Sequence, residues 1–181
     1  MPTRPAVLIT IVSVLVLIAP FSGDILLPSM PSMASDLATD YGRIQLALSV
    51  FMMGIGVSQL VIGPLSDSFG RRPVLKWTII LYVGASFACV VAPNIESLLA
   101  ARIVQSFGGC AGLVVGRAII RDRFEGAKAA QAYAYISAAL AAGPMLGPII
   151  GGQIEVWLGW RANFAFLTAF GPVSYTHLTL P

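Results

Sequence analysis

Long stretches without a charged residue decide what this chain can fold into. Residues 5–23 lie between Arg4 and Asp24, residues 44–66 between Arg43 and Asp67, and residues 77–95 between Lys76 and Glu96. Residues 97–116 carry a single charge, Arg102, residues 129–154 carry none, and another apolar run begins at Ala162. A bilayer core about 30 Å thick is crossed by about 20 mostly apolar residues in a helix. The runs therefore predict six spans, at approximately 6–27, 44–65, 74–92, 97–118, 130–152 and 162 onward. They are continuous and do not alternate with period two, which argues against a β-barrel. Composition agrees: 57% of the 181 residues are hydrophobic and 10% charged, against about 25% charged in an ordinary soluble domain. A Gly-X-Y period is missing, Leu, Ile and Val are abundant, and there are two cysteines. Collagen-like, disordered and disulfide-framework classes are thereby excluded. The net charge of +3 is spread too thinly for a nucleic-acid footprint.

The sign of the charge bears on orientation instead. With the N-terminus in the cytoplasm, the inner segments hold Arg4, Arg71, Arg72, Lys76, Arg117, Arg121, Arg123 and Lys128, and the outer loops hold Arg43 and Arg161. Eight basic residues against two is a positive-inside bias. Taken alone, the first run also fits a secretory signal, with Arg4, an apolar core and small residues at Ser22-Gly23. The five later spans favour a retained first helix. Cys89 and Cys110 fall inside predicted spans, where a free buried thiol is the default.

Ionisable and polar groups within spans need an explanation, because the bilayer makes them costly. Asp24 stands near the outer end of the first helix, before Pro28 and Pro31. It reads either as a solvated loop residue or as a carboxylate at the mouth of a central cavity. Arg102 lies roughly 8 Å below the outer start of the fourth helix. Gln105, three residues on, shares its face, and two polar groups on one face point into a bundle. Asp24 and Arg102 sit at comparable depths, so they are expected to form a charge pair or proton-sensitive couple.

Two further stretches stand out. The turn between the second and third helices contains Gly63, Leu65, Asp67, Gly70, Arg71, Arg72 and Pro73. Gly70 suits a turn with positive φ, Pro73 suits a first helical turn, and Asp67 is placed to cap a helix end or bind Arg71 or Arg72. The fifth helix holds Gly143, Pro144, Gly147, Pro148, Gly151 and Gly152. Glycines at i, i+4 and i+8 make one smooth face for close backbone approach, and the prolines favour a bend. Bond-making chemistry is not legible: there is no nucleophile–base pairing, metal-ligand cluster or phosphate-cradling loop, so neither a metal nor a cofactor is expected.

Together these stretches resemble the major facilitator superfamily, in particular its twelve-helix drug:proton antiporters of the bicyclomycin/chloramphenicol-resistance type. Gly63, Leu65, Asp67, Gly70, Arg71 and Arg72 match the loop signature G-x-L-x-D-x-x-G-R-R/K. Arg102 and Gln105 resemble the fourth-helix R-x-x-Q element, with the following glycine displaced to Gly108-Gly109. Gly143 to Gly152 resembles the antiporter motif of the fifth helix, and Asp24 to Pro31 the acidic D-x-x-L-P-x-M-P element. The resemblance covers residues 1 to about 172 and implies an all-α, six-helix amino-terminal half of a pseudo-symmetric transporter. It implies export of drugs or amphipathic small molecules in exchange for protons across a bacterial-type inner membrane. Asp24, Arg102 and Gln105 would couple protons, the inner-loop residues would latch the inner face, and the fifth-helix glycines would pack against the other half. The partners implied are a small-molecule substrate, protons, membrane lipids and the missing carboxy-terminal half, with the proton gradient as energy source.

Length bears on the same reading, since twelve spans need about twice this chain. The sixth apolar run has only about ten residues before the polar stretch that follows Pro172. Residues 173–181 resemble translated library-adapter sequence and are expected to be foreign, leaving a truncated fragment without transport of its own. Two other readings stay open: a facilitator or importer of the same fold, and a stand-alone six-helix scaffold or sensor.

Overall fold

The structure is a computed structural model that describes residues 5–179, with side chains described for residues 7–171. The apolar runs appear as helices α1 (Pro5–Asp24), α3 (Tyr41–Phe69), α4 (Arg71–Val90), α5 (Ile95–Arg123), α6 (Gly126–Leu158) and α7 (Trp160–Thr179). A short α2 (Met30–Asp36) follows a 3₁₀ turn, Leu27–Ser29. No strand occurs among the described residues. Five stretches are long and apolar enough to cross a membrane: Val7–Asp36, Tyr41–Phe69, Arg71–Val90, Ile95–Arg123 and Gly126–Leu158.

Local chemistry sets the helix ends. The Asp40 side chain accepts from the Arg43 amide at 3.0 Å and starts α3. Asn94 and Ser97 form a reciprocal capping box at the start of α5. Gly70, at φ +89°, reverses the chain from α3 into α4 in a single residue, and the absence of a Cβ permits that backbone conformation. Pro73 sits in the first turn of α4, where no intrahelical donor is lost.

The first span differs from the uninterrupted helix expected over 6–27. The α-helix stops at Asp24, and the chain continues through the 3₁₀ turn carrying Pro28 into α2, which has Pro31 in its first turn. Two prolines three residues apart remove donors a continuous helix would need. Pro144 and Pro148, by contrast, leave α6 unbroken over Gly126–Leu158. The last helix runs on through Gly171 and Pro172 to Thr179, further than the ten-odd residues of its apolar run. Side chains from Pro172 onward and residues 180–181 lie outside the described residues, and the expectation of a foreign tail over 173–181 falls on them.

Helix α5 is the centre of the bundle, packed on α1, α3 and α4, while α6 packs on α1 and α7 on α4. Its glycines permit this crowding. A Cβ on Gly108 would stand 2.6 Å from the Tyr82 Cα on α4, and one on Gly112 would collide with the Leu15 carbonyl on α1.

Candidate functional site

Arg102 is fully buried at the heart of the bundle. Its Nε donates to the Ala47 carbonyl on α3 at 3.3 Å. Its Nη1 donates to the Ser22 carbonyl on α1 at 3.2 Å and to Gln105 Oε1 at 2.7 Å. The guanidinium also lies over the Phe51 ring, 3.9 Å from its centroid. Gln105 in turn donates from Nε2 to Ser86 Oγ at 2.7 Å, and the Tyr82 and Ser22 hydroxyls meet at 2.6 Å. One guanidinium thus ties α1, α3 and α5 together, and its glutamine extends the network to α4. Among the described residues Arg102 Nη2 is buried with no hydrogen-bond partner, and Arg102 enters no ion pair.

The expected pairing of Arg102 with Asp24 does not form. Asp24 makes no ion pair among the described residues. Helical geometry is the reason: two residues separate Ser22 from Asp24, a rotation of about 200° around the helix. Ser22 faces Tyr82 and Arg102, whereas Asp24 faces α6, its Cβ 3.0 Å from where a Gly147 Cβ would stand. Asp24 is half-buried at that contact.

The α6 glycines take a partner other than the one expected. Their face is filled by α1 of the same chain: a Cβ on Gly143 would stand 2.9 Å from the Pro20 Cβ, and one on Gly151 would collide with the Ile25 carbonyl. Gly152 lies next to Pro28, a Cβ there reaching it at 3.7 Å. A glycine stripe specifies close approach and leaves the identity of the approaching backbone open.

At the α3–α4 turn Arg71 gathers three side chains. It pairs with Asp67 at 2.7 Å and with Asp122 of α5 at 3.3 Å, and it donates to Ser66 Oγ at 2.9 Å. The ends of α3, α4 and α5 are thereby clasped. Arg72 is exposed and enters no ion pair among the described residues. Leu65 is also exposed, and a Cβ on Gly63 would meet nothing within 4 Å. Asp67 and Arg71 of the loop signature are thus tied by ion pairs, while Leu65 and Arg72 stand exposed.

Comparison with known proteins places the chain in a family. The family profile of the Major Facilitator Superfamily matches residues 12–179. The chain belongs to that superfamily. It is 41% identical over 152 residues to the chloramphenicol resistance protein of Pseudomonas aeruginosa, covering 83% of this chain and 36% of that protein. It is 31% identical over 160 residues to multidrug resistance protein D of Escherichia coli K12, covering 88% of this chain and 41% of that one. The chain thus spans about 40% of the length of the curated relatives it matches. The crystal structure of the human organic anion transporter MFSD10 superposes with a TM-score of 0.76 at 20% identity, over 97% of this chain and 47% of that one. At that identity the likeness speaks for the fold, that of a multi-pass helical membrane protein.

Within this superfamily bundle, several residues that build the site were not singled out from sequence. Ser22, Tyr82 and Ser86 complete the Arg102 network. Tyr82 and Ser86 stand four apart on α4, one helical face inside an apolar run, and that spacing was the available signal. Phe51 is a buried plate beneath Arg102. Tyr41 is exposed, and Tyr133 is exposed with its hydroxyl 3.4 Å from the Arg117 carbonyl.

Proposed function

We propose that the chain forms the amino-terminal half of a proton-coupled antiporter that exports drugs or other amphipathic small molecules. Export would proceed by alternating access across a bacterial-type inner membrane, with the N-terminus cytoplasmic and the proton gradient as energy source. Membership of the superfamily and the drug-resistance names of the relatives above support transport rather than catalysis. The observation that carries proton coupling is the position of Asp24. It is a carboxylate at the end of a spanning helix, with no ion pair among the described residues, placed where α1 meets the α6 glycines. An ionised group in such a place is costly, and a proton removes the cost.

In this reading Asp24 carries the proton, and its contact with Gly147 makes the α1–α6 seam respond to its charge. Arg102 and Gln105 act as a fixed positive framework that holds α1, α3, α4 and α5 in register. The Arg71 clasp holds the inner ends together, while Gly63, Leu65 and Arg72 face the rest of a longer chain.

The test uses the full-length protein in inside-out vesicles with an acidic interior, with chloramphenicol as the probe. Drug addition is expected to discharge the pH gradient, and Asp24→Asn to lower that rate at least tenfold at equal protein level. Undiminished proton movement in Asp24→Asn would remove Asp24 from the coupling step.

A further inference from the structure

Helices α1 and α6 run parallel, because Gly143 meets Pro20 and Gly147 meets Asp24 in the same order along both. They touch along the glycines, and in their N-terminal halves Val12 and Val16 of α1 share an apolar cluster with Ala132 and Ile136 of α6. There a cavity of about 620 Å³ opens between them, within the range of about 300–1,000 Å³ typical of small-molecule sites. Val14 and Leu17 of α1, with Phe124 and Ala139, give it apolar walls. Lys128, Gln131 and Tyr135 line it from α6 at i, i+3 and i+7, and Ser13 lines it from α1.

Four observations bear on the charge of what fits. Lys128 lines the cavity with no carboxylate beside it in the lining, and it enters no ion pair among the described residues. It stands in the first turn of α6, where the helix dipole disfavours a cation. Glu125, at the helix start, provides no side-chain cap. Ser13 Oγ is buried without a hydrogen-bond partner among the described residues. A solvated lysine would need none of this surrounding; a lysine above an apolar cleft with spare donors matches an anion carrying an apolar body.

We propose that this cavity binds amphipathic monocarboxylates, as one charge class among the transported molecules. The carboxylate would lie at Lys128 and the apolar body along Val14, Leu17, Phe124 and Ala139. Lys128 to Tyr135 covers about 10 Å of helix, the length of an aromatic acid with a short alkyl tail. The proposal rests on the transport reading and adds a charge class of substrate.

The experiment measures equilibrium binding to the full-length protein in phosphatidylcholine nanodiscs, without any gradient. The probes are 4-butylbenzoate, its neutral amide and 4-butylbenzylammonium. The carboxylate is expected to bind at least tenfold tighter than either analogue, as a charge-assisted contact would require. Lys128→Gln is expected to erase that preference while leaving amide binding within twofold, and Lys128→Arg to retain it. Ala139→Trp fills the apolar wall and is expected to weaken all three probes. Lys128 is exposed, so its variants leave the packing intact. Equal affinity for acid and amide, an unchanged preference in Lys128→Gln, or displacement of the acid by added phosphatidylglycerol (which would make a lipid headgroup the occupant) each overturns the proposal. Because no gradient is involved, loss of carboxylate binding is separable from loss of proton coupling in Asp24→Asn.

Discussion

Arg102 shows how one side chain can carry more of the fold than its position in an apolar helix advertises. Three hydrogen bonds and a ring face hold it, with no ion pair among the described residues. Removing it takes this donor from the buried Gln105 amide oxygen and from the Ala47 and Ser22 carbonyls. Arg102→Ala is expected to cost about 3 kcal/mol or more, since hydrogen bonds to a charged group contribute about 1.5–3 kcal/mol each; thermal unfolding of the full-length protein in detergent reads it. Arg102→Lys is expected to recover little, because a point charge cannot span Ala47, Ser22 and Gln105 as the guanidinium fork does. The buried arginine and its glutamine were legible from spacing. The Asp24 pairing was misread for a definite reason: depth along two helices can be estimated by counting residues, but the direction each side chain faces depends on how the helices are rotated. Ser22 and Asp24, two apart, face opposite neighbours.

At the scale of elements, charge-free runs located the five stretches long and apolar enough to cross a membrane and the start of the last helix, but the ends of α5 and α6 lay further out. Helix α5 extends over Ile95–Arg123 and α6 over Gly126–Leu158, beyond the apolar cores at 97–118 and 130–152. Charged residues such as Glu96, Arg121 and Arg123 remain helical once outside the hydrocarbon. The break after Asp24 was signalled by Pro28 and Pro31, although α2 beyond it was not. Glycines then separate into two kinds that sequence alone cannot distinguish. Gly147→Val is expected to destabilise by about 1–3 kcal/mol, the usual cost of overpacking, because Asp24 and the Ile25 backbone already stand 3.0–3.1 Å from its missing Cβ. Gly63→Ala meets open space within this chain and is expected to hold or raise thermal stability, by up to about 1 kcal/mol from helix propensity. The same unfolding measurement compares the two. A loss in Gly63→Ala as large as that in Gly147→Val would show that another backbone lies against α3 there.

On the whole molecule, burial is uneven in a way that bears on activity. In their most apolar stretches α5 is 61% buried and α6 only 22%, with α3 at 33%. Met53 and Leu60 on α3 and Ile149, Val156 and Trp157 on α6 stand open. Lipid can cover such faces, and so can further chain of the kind present in the relatives, which are a little over twice as long. The 181-residue chain expressed alone is therefore expected to self-associate in detergent and to give no drug export, and export is expected to return when the full-length gene is expressed. Size-exclusion chromatography and a vesicle export assay check the two halves of that statement.

Proton release on drug binding tests the central claim most directly. The purified full-length protein is placed in weakly buffered detergent solution with a pH indicator, and the transported drug is added. An antiporter in which drug and proton compete through Asp24 is predicted to release protons on binding, and Asp24→Asn to bind drug without releasing them. Drug binding by the unmodified protein with no proton release, or equal release from Asp24→Asn, would contradict the account.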